Sequence, residues 1–519
     1  MYKITLDEVE EGLMAGPFSR EEIEEQVGDQ WIAARRFGLK QENKIRPIDN
    51  FAEYMVNDAF GSKEKVELLS VDHVVAWGRA WLGAISEDGT FLVKDNQGAT
   101  WYCKAHTDWT REEWRKLRGR ITDLANAYKQ VPASPKDKAL GIIAVQDPDS
   151  FVVNLFRAWS LMFGETAAVY AFLRISRALS TLAARLFDLV IVEFFDDFTQ
   201  LEADKSTASA WATMEAMLKL LGWDISMKES KRKPFAEKFE TLGVAINFHK
   251  ADEEMIEISN KAGRLESIEC AVEAVVSRDK MGFKEALSIK GKVGYAEGQF
   301  YGRVAAPTCR LLSKWASAGD DKNLTDEMRI GLVTLMHTLL AAKPRLVKMI
   351  RDVLPIVIFT DGACEKDGTS IGGILFEQGC RPLAFGAMMC PSVVKAWATK
   401  MDQVQVIGQA EIFPVLVARH TWKNKLAGRR VLYFIDNDSA RLALVKSYSP
   451  VLSSLKIICE CASWDCIHDS VAWYARVPTG ANIADGPSRM SKDEVVDRFG
   501  AEIVKPVLPS GDRWVTDVL

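Results

Sequence analysis

The chain lacks a disulfide framework, an export signal and a stretch that could cross a membrane. Its nine cysteines in 519 residues stand at irregular spacing, so an intracellular, reducing compartment, cytosol or nucleus, is expected. The first residues, Met-Tyr-Lys-Ile-Thr-Leu-Asp-Glu, hold no basic region followed by an apolar one, and nowhere do about 18 apolar residues run together. No membrane partner is expected. The densest cysteine group, Cys459, Cys461 and Cys466 with His468, has no paired C-x-x-C knuckle and sits in the apolar run Val451 to Ile467. Buried structural cysteines account for it better than zinc does. Internal repeats and low-complexity tracts are also missing, which sets aside solenoids and disordered tails. What remains, 48% hydrophobic and 26% charged, is globular material long enough for three or more units.

Basic charge is not in excess either: the net charge is −5, which at face value argues against a polyanionic partner. The distribution of the charge points the other way. Residues 1 to 30 hold nine acids, Asp7, Glu8, Glu10, Glu11, Glu21, Glu22, Glu24, Glu25 and Asp29, against Lys3 and Arg20, so the rest of the chain is slightly basic. Basic residues cluster at Arg35 to Arg46, Arg111 to Arg120 and Lys228 to Lys238, and such patches steer a polyanion locally. Any one of them alone would read as a solvated helix face.

The texture divides the chain into an acidic segment (1–30), a mixed α/β stretch (31–250), a helical stretch (251–352), a second α/β unit (353–492) and an extension (493–519). In the first α/β stretch, Asp123 closes a short β segment, Ile121-Thr-Asp-Leu-Ala-Asn-Ala-Tyr-Lys-Gln130, and Val192-Glu-Phe-Phe-Asp-Asp-Phe-Thr199 brings a second strand to Asp196 and Asp197. Two Mg²⁺ ions about 3.5–4 Å apart clamp the attacking and leaving oxygens of phosphoryl transfer and need carboxylates from converging strands. Asp123 and Asp196 are the expected ligands, with Asp197 in support.

Asp-Leu-x-x-Ala-Tyr-x-Gln followed by aromatic-x-Asp-Asp resembles the palm motifs of reverse transcriptases, and the likeness extends over most of residues 30 to 250. It implies a right-hand polymerase with fingers and palm at 31–250 and a thumb or connection at 251–352. By that resemblance Lys44 and Arg46, with Arg36, hold the triphosphate of a dNTP. Met162-Phe-Gly-Glu165 resembles the Pro-Phe-Gly-Leu segment, placing Phe163 and Gly164 against template and nucleotide. Met162 and Glu165 depart from it. Tyr128 stands where an aromatic ring excludes a 2′-hydroxyl, Lys231 near the leaving pyrophosphate, and Phe239, Leu242 and Gly243 in the primer grip. Lys290, Lys292 and Arg303 of the helical stretch are candidates for duplex backbone contacts or a solvated basic face.

In the last third Asp361 lies on an apolar strand, Glu411 opens a helical run, Asp436 ends a second strand and Asp485 lies in Asn482-Ile-Ala-Asp-Gly-Pro-Ser-Arg489. One carboxylate from each suits a two-metal nuclease site. The order resembles the ribonuclease H family over 353–492, which implies an α/β domain with these four acids as Mg²⁺ ligands, Mn²⁺ being the alternative ion. The histidine that many members carry before the last aspartate is missing, with Arg476 in its neighbourhood, and the long interval from Asp361 to Glu411 implies an insertion near Cys380 to Lys400. Together the resemblances imply an RNA-directed DNA polymerase from a retrotransposon-like element, acting on RNA template, DNA primer, dNTPs and RNA–DNA hybrid. Two alternatives stay open: a decayed or domesticated copy that binds without turnover, and a polymerase whose ribonuclease H domain only grips the hybrid. Oligomeric state is not legible.

Overall fold

A computed structural model describes residues 1–41, 44–94, 97–299, 305–318, 322–349, 353–398 and 406–509, and the apolar strands early in the chain build a five-stranded and a three-stranded sheet among others. The protein is mixed α/β and divides into two compact units, Met1–Leu242 with Asn247–Ile256, and Gly243–Ile246 with Glu257–Leu519. Among the described residues no helix is long and apolar enough to cross a membrane.

The first unit opens with helix α1 (Tyr2–Glu10) and strand β1 (Met14–Phe18), followed by β2 (Ala33–Gln41) and β3 (Lys44–Asn50), then β4 (Leu117–Asp123), β5 (Ile142–Gln146) and β6 (Val153–Ala158). A five-stranded sheet runs in the order β1-β6-β5-β2-β3. The acidic N-terminal segment is therefore woven into this sheet, with Met14 opposite Ala158 and Phe18 opposite Leu155. Helix α2 (Thr166–Phe187) and strands β7 (Val190–Phe194) and β8 (Asp197–Ala203) come next. Strand β8 lies between β4 and β7 in a three-stranded antiparallel sheet. Apolar residues of α2 and of the Thr207–Leu220 helix, among them Phe172, Met214 and Leu218, share one core with Tyr128 and Phe198.

In the second unit the helical stretch contains α3 (Arg264–Arg278), α4 (Phe283–Ala296), α5 (Ala306–Ser317) and α6 (Asp326–Ala341). Strands β9 (Ile356–Glu365), β10 (Gly368–Phe376) and β11 (Leu383–Met388) then form an antiparallel meander. Helix α7 (Ile407–Thr421) crosses over to β12 (Arg430–Ile435), which pairs parallel with β9; α8 (Asp438–Lys446), α9 (Leu452–Ile467), β13 (Val471–Arg476), α10 (Asp485–Ser488) and β14 (Glu502–Ile503) complete the unit. The six-stranded order is β13-β12-β9-β10-β11-β14. Helix α9 carries apolar residues toward two neighbours, with Ser453, Lys456, Glu460 and Ser463 along a polar face between them. Leu455 and Cys459 face the core of the helical stretch, whereas Ile457, Ile458, Cys461 and Trp464 face the core of the sheet. The cysteines thus enter two different cores, which accounts for their burial.

Candidate functional site

In the first unit the strand register assembles the aspartates. Asp197 begins β8 directly opposite Asp123 at the end of β4, and Asp196 precedes it in the tight turn after β7, where Phe195 takes a positive φ of 54°. The Ser176 hydroxyl donates to the Phe195 carbonyl at 2.6 Å, fastening that turn to α2. Three carboxylates at one sheet end repel one another. Burial, then Asp196, pushes the Asp197 carboxyl up to about 6, and burial raises Asp196 as well. Lys231 Nζ lies 3.1 Å from Asp123 Oδ1. Arg46 is exposed, and its charge acts on Asp196 in the same sense as that of Lys231.

The walls beside the aspartates are aromatic. Tyr128 is buried between Phe163 (ring centroids 4.7 Å apart) and Phe172 (4.6 Å). Gly164 has φ +96°, and a Cβ there would overlap the Asp49 carbonyl oxygen, so only glycine lets this segment close on β3. Met162, one of the departures from the family pattern, fills the core under the five-stranded sheet. Glu165 stands at the N-cap of α2 with its carboxyl raised by burial and by Asp137.

Arg36 does not face a nucleotide, contrary to expectation: its side chain is 1% exposed and is taken up by Glu8 (2.7 Å) and by both carboxylate oxygens of Asp49 (2.7 and 3.1 Å). A guanidinium held by two acids in the interior has no donors to offer a phosphate. Phe239 is buried in packing against Phe248, with ring centroids 6.0 Å apart, while Leu242 and Gly243 form the positive-φ turn that follows. Lys44 begins β3, but its side chain lies outside the described residues, as does Arg303. Lys290 and Lys292 lie on α4, and Lys292 Nζ reaches the Ser267 hydroxyl at 2.9 Å.

In the second unit Asp361, Glu411 and Asp436 offer carboxylate oxygens that all lie within 4.8 Å of one another. Gly362 explains how a helix carboxylate comes so close to a strand: a Cβ there would overlap the Ala410 carbonyl and stand 2.8 Å from Glu411 N. Burial, then the neighbouring acids, pushes Glu411 up to about 8; burial raises Asp361 to about 6. Glu411 Oε2 and Asp436 Oδ1 are buried without a hydrogen-bond partner. Two orphaned carboxylate oxygens beside a third acid fit a hard divalent cation.

Two residues not singled out from sequence hold Asp361 in place. The Ser488 hydroxyl donates to its Oδ2 at 2.5 Å, and Asn482 Nδ2 to its Oδ1 at 3.3 Å. Asp485 stands outside the close trio and binds Arg489 (3.0 Å), which also pairs with Glu365. Asp485, Glu365 and Arg489 line, with the trio, one cavity of about 330 Å³. Arg476 pairs with Asp438 at 3.4 Å. Residues Pro391–Ala398 of the expected insertion are helical, whereas 399–405 lie outside the described residues.

Neither a family model nor a curated protein matches the chain. Among solved structures it is similar to the foamy viral protease-reverse transcriptase in complex with dsDNA, at TM-score 0.43 and 12% identity over 92% of this chain and 82% of that one. A second similar structure, the foamy viral protease-reverse transcriptase dRH in complex with ds DNA, gives the same TM-score and identity over 91% and 68%.

Proposed function

We propose that this chain is an RNA-directed DNA polymerase with a second, hybrid-cleaving nuclease site. The observation that carries the reading is the strand register that sets Asp123 opposite Asp197, next to Asp196. Residues 31–250 serve as fingers and palm, 251–352 as thumb or connection and 353–492 as a ribonuclease H-like domain. Asp123, Asp196 and Asp197 would hold Mg²⁺ at one site, and Asp361, Glu411 and Asp436, with Asp485, at the other. Bound there, divalent cations supply charge neutralisation and polarisation of the phosphoryl group.

The chain's own residues do the rest. Tyr128, wedged between Phe163 and Phe172, presents a fixed wall that a ribose 2′-hydroxyl would strike, favouring dNTPs. Arg46 and Lys231 bring positive charge to Asp196, where it would meet a triphosphate. Lys231, now 3.1 Å from Asp123, would give up that partner if Asp123 held a cation, and its long stem would let it reach the leaving phosphates. In the second unit Ser488 and Asn482 orient Asp361, so that the trio faces an RNA phosphodiester with its geometry already set.

A second reading, a protein that grips nucleic acid without turnover, draws on the cations already seated on Asp123 and Asp485. Primer extension on an RNA template with dNTPs and Mg²⁺ decides between them. The unmutated chain is expected to extend the primer. Asp196→Asn should lose more than the roughly 10–100-fold that removal of an outer-shell partner costs. Asp436→Asn should abolish hybrid cleavage while extension persists, and Asp123→Ala the reverse. Folded protein that binds hybrid yet neither extends nor cuts would establish the second reading.

A further inference from the structure

Of the nine acids in the first thirty residues, Glu8 on α1 has its side chain buried and shared between two cations. Its Oε2 accepts from Arg36 Nη1 at 2.7 Å, and its Oε1 pairs with Lys129. Burial alone would push this carboxyl up, but Arg36 and Lys129 outweigh it and hold it below the ordinary range. A buried charge is tolerated only when paired this closely, and removing one partner strands the others. The cluster contains Glu8, Arg36, Asp49 and Lys129, two charges of each sign drawn from α1, β2, β3 and the turn after β4.

Both ends of that cluster lead to Tyr128. Lys129 is its chain neighbour, in the short turn Ala127–Gln130 that follows Asp123. Asp49, at the other end, sets its carbonyl where only Gly164 can approach. The same segment is fixed by Asn57, which donates to the Gly164 carbonyl at 2.9 Å and accepts from Thr166 N at 2.8 Å. Phe163, next to Gly164, then lies against the Tyr128 ring. We infer that Glu8 is a positioning residue for the aspartate site: helix α1 fixes the Tyr128 wall by holding Lys129 directly and the Phe163 segment through Arg36 and Asp49. The inference rests on the polymerase reading for its consequence, since the wall is what would sort nucleotide sugars.

The test is Glu8→Gln in the full chain, a near-isosteric change that removes the charge. The ratio of kcat/KM for dNTP over rNTP does not depend on how much protein is active, so a merely structural loss leaves it unmoved. In Glu8→Gln that ratio should fall about tenfold, with KM for dNTP raised and kcat less affected, because small misplacements near reacting groups have large effects. Glu8→Asp should restore part of it. An unchanged ratio in folded Glu8→Gln protein overturns the inference while leaving the polymerase reading intact. If Glu8→Gln does not fold, Lys129→Met interrupts the same link and carries the same expectation. If the unmutated chain extends no primer, the polymerase reading has failed. Hydrogen exchange over 126–131 then tests the link itself: faster exchange in Glu8→Gln supports it, and unaltered exchange sinks it.

Discussion

Gly362 shows how much one residue decides. It sits beside Asp361 on β9, and any side chain there would drive into the backbone of α7 at Ala410, which has no flexible end to give way. Without that approach Glu411 could not join Asp361 and Asp436. Asp361 was legible as a candidate ligand because a carboxylate on an apolar strand is a marked residue, whereas the part Gly362 plays was not. Ser488 was not, although it lies in a segment the sequence points to, because a serine announces nothing until the chain brings it against Asp361 from far along the sequence. Its role can be measured. Ser488→Ala removes the 2.5 Å hydrogen bond and frees the Asp361 carboxylate to rotate. Mn²⁺ affinity of the second site, read by calorimetric titration, should fall about tenfold or more with little change in unfolding temperature. Unchanged affinity would show that Asn482 and packing suffice to orient the ligand.

Elements were more legible than their edges. The strand that ends at Asp436 and the helical run that Glu411 opens were readable and are found as Arg430–Ile435 and Ile407–Thr421: the strand buries alternate residues, and the helix, apolar over most of its length, is buried without a break from Gln409 to Arg419. The run Thr241 to Phe248 reads as one strand but is broken by the turn at Leu242 and Gly243, since β-branched neighbours hide a turn in an apolar context. Arg36 reads as a surface cation because nothing local foretells that α1 will fold back over it. Strand β8 gives a prediction at this scale. Lying between two strands, it is buried along most of its length, including Glu202, whose carboxyl burial pushes up to about 7. The folded state keeps the proton that the unfolded chain releases near pH 4, so stability falls as pH rises from about 4 to 7. Glu202→Gln removes that loss. The variant should resist urea better than the unmutated chain by roughly 1–3 kcal/mol at pH 8, with the gain vanishing near pH 4. A gain that is the same at both pH values would mean that packing, not charge, is responsible.

At the scale of the molecule, the helical stretch and the six-stranded sheet form one unit because α9 serves both cores. The texture of the sequence changes near residue 353, and the first strand of the six-stranded sheet to appear in the chain begins at Ile356. That change does not mark where packing stops, since the apolar residues of α9 enter the cores on both sides of it. One consequence is that chemistry at the carboxylate trio should be felt by the helices as well. Without cation, Glu411 near 8 and Asp361 near 6 titrate as a group. Both values lie above the ordinary carboxylate range near 4. The folded unit therefore binds more protons than the unfolded chain, and its stability declines as pH rises from about 4 to about 8, the full penalty being present above that. A divalent cation competes with those protons and binds only the folded unit, so its stabilisation follows its affinity at each pH. Thermal unfolding with MgCl₂ against EDTA should show a larger upward shift at pH 8.5 than at pH 6.0. Helical and sheet signals from this unit should move together. Glu411→Gln should shrink the shift and remove most of its pH dependence. An equal shift at both pH values would place the stabilising cation elsewhere than at the trio, and separate helical and sheet transitions would mean that α9 does not bind the two cores into one cooperative body.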